Sequence, residues 1–222
     1  MVLKKTPFFI VFFLIVLIET VVADAFNFPY LHYISKPAIV ISLGFYFITN
    51  SSHLKKTYKV ITLLALFFSL LGDVLLMFVL KSELFFISGL LSFLMAHVFY
   101  SLLFYKKRNT NLKFLPVLIL LIVYAFGLFI LIKNDIKPLL IPIVLYMLVL
   151  LTMVLFAYRR KLIVNKQSYN LVLLGAVLFM MSDSLLAINK FYHTIPFETF
   201  CIMLTYALAQ LCIVLGITKQ KN

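Results

Sequence analysis

Long apolar runs separated by short polar breaks dominate this chain from end to end. Eight runs stand out, at roughly 6–24, 34–50, 58–79, 84–105, 113–133, 138–158, 169–190 and 197–217. Each is close to the ~20 residues that an α-helix needs to cross a bilayer. The pattern predicts an all-α, polytopic membrane protein with eight transmembrane helices in one domain, 1–222. Ile34-Ser35-Lys36-Pro37 reads as the start of the second helix, with proline in its first turn. Lys4 and Lys5 before the first run and Ala23-Asp24-Ala25 after it look like a signal peptide with its cleavage site. The run is longer than a signal core and seven more follow, so a retained first helix is expected.

Composition narrows the class. The chain is 64% hydrophobic and only 12% charged, against ~25% charged residues in soluble domains. Its formal charge is +13, with 20 basic and 7 acidic residues. Such a balance suggests nucleic acid until the charges are placed. Fifteen of the basic residues fall at the N-terminus, in alternate breaks and in the tail: Lys4, Lys5; Lys55, Lys56, Lys59; Lys106, Lys107, Arg108, Lys113; Arg159, Arg160, Lys161, Lys166; Lys219, Lys221. The other five, Lys36, Lys81, Lys133, Lys137 and Lys190, fall on the opposite side. This is the positive-inside pattern of an even number of helices with both termini cytoplasmic. It argues against nucleic acid as a partner. Cys201 and Cys212 fall in one predicted helix, ~16 Å apart at 1.5 Å per residue, too far for a disulfide.

Ionisable groups inside spans mark candidate chemistry, because their burial in lipid is costly. Asp73 and Asp183 lie at similar depth in the third and seventh runs, and both runs point the same way. Their surroundings match: Gly72-Asp73-Val74-Leu75-Leu76 and Ser182-Asp183-Ser184-Leu185-Leu186. The match suggests a parallel 4+4 internal repeat. It also suggests that the two carboxyls meet in one cavity as a general acid and base. The plainer alternative is that each only hydrogen-bonds a neighbouring helix. His97, Tyr100 and Ser101 share a face by their i, i+3, i+4 spacing. Tyr206 and Gln210 share another, with Thr199 further along. These read either as a proton relay and substrate contacts or as interhelical packing bonds. Lys36 is placed to snorkel to the interface, or to pair with Glu19, Asp24 or a lipid phosphate.

A catalytic zinc needs about three protein ligands, yet only His97 falls within a span. His32, His53 and His193 read as loop residues, and no HExxH or CxxC occurs. There is no GxSxG nucleophile elbow. Gly72-Asp73 matches only part of the paired motifs of intramembrane aspartyl proteases. No metal and no organic cofactor is expected.

Taken in order, Lys36-Pro37, FSLLGDVLL around Asp73, GLLSFLMAHVFY ending at Tyr100, GAVLFMMSDSLLAINKF around Asp183 and Tyr206-Ala207-Leu208-Ala209-Gln210 resemble the YhhN family of membrane lysoplasmalogenases. The resemblance covers the second to fourth and the seventh and eighth runs; the others match only as apolar spans. It implies an eight-helix ether hydrolase that cleaves the vinyl ether bond of a lysoplasmalogen. The products would be a fatty aldehyde and glycerophosphoethanolamine or glycerophosphocholine. Asp73 and Asp183 would then be catalytic, with Lys36, His97, Tyr100, Tyr206 and Gln210 binding or orienting the lysophospholipid. The expected setting is a bacterial inner membrane. A transporter or lipid-binding protein is the alternative, since transporters also carry intramembrane acids and internal repeats.

Overall fold

The computed structural model describes residues 6–22, 29–136 and 139–220. Among them are eight helices and no strand. They are α1 (Thr6–Leu17), which runs on into a π turn at Ile18–Val22, α2 (Pro29–Asn50), α3 (Lys56–Leu76), α4 (Glu83–Tyr105), α5 (Leu115–Ile132), α6 (Leu140–Tyr158), α7 (Lys166–Phe191) and α8 (Glu198–Thr218). The last seven are long and apolar enough to cross a membrane. The first is shorter within the described residues, 12 α-helical residues followed by a 5-residue π turn, against the ~20 of a typical span. The expected continuation of this run to residue 24, the Ala23-Asp24-Ala25 motif and Lys137 lie outside the described residues.

Most predicted boundaries hold within three residues. The second helix is the exception. It begins at Pro29, so Pro37 lies inside it rather than in its first turn. Pro29 occupies the first helical position, where its fixed φ and missing donor cost nothing. Pro37 removes only one backbone donor, and a membrane helix tolerates that when neighbours pack around it. The same shift brings His32, expected in a loop, into α2. At the start of α7 the Asn165 side chain caps Ser168 N at 2.8 Å. This starts the helix at Lys166, three residues earlier than predicted. Phe197, before α8, takes a left-handed φ of 54°, uncommon for a residue with a side chain. Both cysteines lie in α8 and are free.

Six helices form a ring. α3 packs along α4, and α7 along α8; α2 joins α3 to α8, and α6 joins α4 to α7. α1 lies outside against α2, and α5 outside against α6 and α7. Glycines set the two tight pairs. A Cβ on Gly72 would stand 2.6 Å from the Phe93 ring, and one on Gly175 would stand 2.7 Å from the Ala209 carbonyl. Side chains fill the centre of the ring. Phe179 meets His97 edge-on at 4.6 Å and Tyr206 at 5.5 Å, and Phe93 meets Phe179 at 6.4 Å and Tyr206 at 5.8 Å. Large apolar side chains face outward around the perimeter, among them Phe45, Phe67, Leu120 and Phe126. That outer surface suits lipid rather than water.

Candidate functional site

The polar residues inside the ring fall into two clusters. The first joins α3, α4 and α8. Tyr206 OH donates to Asp73 Oδ2 at 2.7 Å. Gln210, one turn further along α8, accepts from Tyr100 OH at 2.8 Å and donates to Ser69 Oγ at 2.9 Å. A weaker contact at 3.5 Å from Gln210 Nε2 to Tyr206 OH closes the chain. All five residues are buried, Asp73 to 1% exposure. The formal charges that act on Asp73 are Lys36, half-buried on α2, and Glu19 in the π turn.

The second cluster joins α4, α6 and α7. Tyr146 OH donates to Asp183 Oδ2 at 2.7 Å. His97 Nε2 stands 3.6 Å from the same oxygen, outside hydrogen-bond range. Neither ring nitrogen of His97, which is fully buried, has a hydrogen-bond partner among the described residues. Beside it, Tyr124 OH donates to Ser184 Oγ at 2.6 Å, and Ser184 Oγ donates to the Met180 carbonyl at 2.7 Å.

Asp183 differs from Asp73 in what lies next to it. Its side chain keeps 12% exposure and forms part of the wall of a cleft between α4, α5, α6 and α7. Tyr146, Ser184, Leu128, Met147 and Ala187 also line that cleft. The space admits water over about 50 Å³, against the ~10–15 Å³ that one water needs. The lining is otherwise apolar. An apolar cleft with one carboxyl in its wall suits an aliphatic chain with a polar end.

The expectation of a single pocket holding both carboxyls therefore becomes two clusters back to back. Asp73, Tyr100, Tyr206 and Gln210 come together, as do His97 and Asp183. The rings of Phe93 and Phe179 pack between the two sets. His97, Tyr100 and Ser101 also separate. His97 faces Asp183, Tyr100 faces Gln210, and Ser101 turns toward a groove between α4 and α6. Adjacent helical positions differ by about 100°, so i+3 and i+4 together span too wide an arc for one partner. Lys36 reaches Asp73 only electrostatically, and Glu19 pairs instead with His32 Nδ1 at 2.8 Å and Ser35 Oγ at 2.5 Å.

Sequence reasoning missed Tyr146, Ser69, Tyr124 and Ser184. Their signal was faint: a hydroxyl in an apolar run at the depth of an aspartate. Glu19 was named only as a possible partner of Lys36, and its contacts with His32 and Ser35 were hidden by the misplaced start of α2. Among the described residues no group of three metal-ligating side chains occurs.

No curated protein and no solved structure matches the chain. A family model does match, over residues 31–217, from early in α2 to the last turn of α8, so both clusters lie within it. The chain belongs to the YhhN family.

Proposed function

We propose that this protein is a membrane-embedded hydrolase that cleaves the vinyl ether bond of a lysoplasmalogen. The observation that carries the reading is Asp183 in the wall of an apolar cleft between the helices, with the buried His97 3.6 Å behind it. In this reading the alkenyl chain lies in the cleft and its ether end reaches Asp183. The carboxylic acid form of Asp183 gives its proton to the β-carbon of the enol ether, leaving an oxocarbenium ion beside the new carboxylate. Water adds to the cationic carbon and loses its proton to the Asp183 carboxylate, which restores the acid. The hemiacetal then collapses to a fatty aldehyde and the glycerophospho-alcohol. The same charge pattern arises in glycoside hydrolysis, where paired carboxyls serve it. Asp73, behind the aromatic layer, acts through Tyr206 as a fixed charge that favours the developing cation.

The 4+4 repeat belongs to the same proposal. Asp73 and Asp183 are 110 residues apart, and so are the first residues of α3 and α7. Tyr100 and Gln210 are also 110 apart, and they touch at the centre of the ring. Residues related by a two-fold axis meet where they lie on it. Lys36, which acts on Asp73, and Tyr146, which binds Asp183, share the spacing. The chain would sit in a bacterial inner membrane with both termini cytoplasmic, by the distribution of its lysines and arginines.

Purified protein given a lysoplasmalogen should release aldehyde. Asp183→Asn should lower that rate by about 10²-fold or more, the usual worth of a general acid. Turnover by Asp183→Asn within about threefold of wild type would contradict the proposal. The repeat also fits a second reading, a carrier for a lipid or small molecule. Lysolipid binding by the wild type, without hydrolysis of any lysolipid, would favour it.

A further inference from the structure

The end of the bundle where α4, α6 and α8 finish carries most of the basic residues, and none of the described acids lies there. Arg160 follows α6 at this end and is 1% exposed, the largest fully buried side chain among the described residues. Its Nη2 donates to Gln220 Oε1 at 2.8 Å and to Ser168 Oγ at 3.1 Å. Ser168 Oγ in turn donates to the Gly216 carbonyl at 2.6 Å. The guanidinium lies 5.3 Å from the Phe104 ring centroid. No carboxylate pairs with it among the described residues.

Two donors are left over at this point. Arg160 Nη1 and Gln220 Nε2 are both buried, and neither has an acceptor among the described residues. Buried charges are ordinarily paired, and buried donors ordinarily bonded. The carbonyl ends of α4, α6 and α8 gather nearby, yet none reaches Nη1. An unpaired cation with two spare N–H groups beside it is complementary to a group that only accepts. Arginine favours the oxygens of phosphate and carboxylate because its planar fork matches them. Lysines at the same end of the bundle, among them Lys56, Lys107 and Lys219, make that end attractive to anions.

We propose that Arg160 and Gln220 form an anion site at the basic end of the bundle that takes a phosphate group, from a lipid headgroup or from free phosphate. Burial pushes the Arg160 guanidinium down to about 9, and a bound anion relieves that penalty. The site ties the α6–α7 turn to the end of α8, far from the Asp183 cleft, and is independent of the hydrolytic reaction. By charge it faces the cytoplasmic leaflet in the topology proposed above.

The test is the melting temperature of the purified full chain in a non-ionic detergent. Inorganic phosphate and phosphatidylglycerol are added separately and compared with chloride at matched ionic strength. A ligand that binds only the folded state raises Tm, here by roughly 5 °C or more near saturation. Phosphate acting alone identifies a soluble anion, and phosphatidylglycerol acting alone identifies a headgroup. Gln220→Glu places a carboxylate on Arg160 from within the chain. It should raise Tm in chloride and remove the response to either ligand, even if Arg160→Gln proves too unstable to measure. Wild-type protein that melts alike in all three conditions would overturn the site. So would a Gln220→Glu variant that keeps the full response.

Discussion

Gln210→Leu tests how the two sides of the ring are held together. Gln210 is fully buried and bonds to Tyr100 on α4 and Ser69 on α3, while α8 itself packs mainly on α7. Leucine keeps most of the volume but removes both bonds. Interhelical hydrogen bonds in lipid average ~0.6 kcal/mol and reach ~1.7. Tyr100 OH and Ser69 Oγ are left without their partner in a dry interior, which moves both losses toward the upper figure. The expected destabilisation is about 1–3 kcal/mol. At ~2–4 °C per kcal/mol for a chain of this size, Tm falls by roughly 2–12 °C. Thermal unfolding in detergent measures it. Tyr100→Phe should cost part of the same energy, and the double variant should cost less than the two single losses together, because the residues share a bond. A Tm for Gln210→Leu within about 1 °C of wild type would refute the claim that this network joins the halves.

Four other outcomes follow from the packing and the charges. Gly175→Ala should destabilise by about 1–3 kcal/mol, since its methyl group would meet backbone of α8 at 2.7 and 2.9 Å. Gly127→Ala, with nothing within 4 Å, should be neutral or slightly stabilising in the same melting assay. Ala187→Phe narrows the cleft beside Asp183 and should raise KM most for the longest alkenyl chains, leaving the melting temperature nearly unchanged. A reporter fused after Asn222 should signal from the cytoplasm, and a periplasmic signal would overturn the proposed topology.

Much of the fold was legible because lipid imposes a simple rule: a run of apolar residues long enough to cross becomes a helix. Seven of the eight runs are full-length spans among the described residues. The first passes from α-helix into a π turn that aims Glu19 at α2, and a hydropathy pattern does not carry such a turn. Asp73 and Asp183 stood out because acids are rare in spans. Their partners did not, since a tyrosine in an apolar run reads equally as packing. The depth of each aspartate followed from its position along a helix, but its facing direction did not. Depth alone therefore merged two clusters that Phe93 and Phe179 keep apart. Arg160 read only as a topological charge, because nothing local to Tyr158-Arg159-Arg160-Lys161 distinguishes the buried arginine from its neighbours.

The most direct test of the central claim is to run the reaction in D2O and locate the label. If Asp183 protonates the β-carbon of a vinyl ether, its exchangeable proton is deuterium, and the released aldehyde, trapped by reduction, carries one deuterium on the carbon next to the carbonyl. Asp183→Asn should yield almost none of that product. Aldehyde without deuterium at that carbon, or labelled product formed at the wild-type rate by Asp183→Asn, would contradict the account.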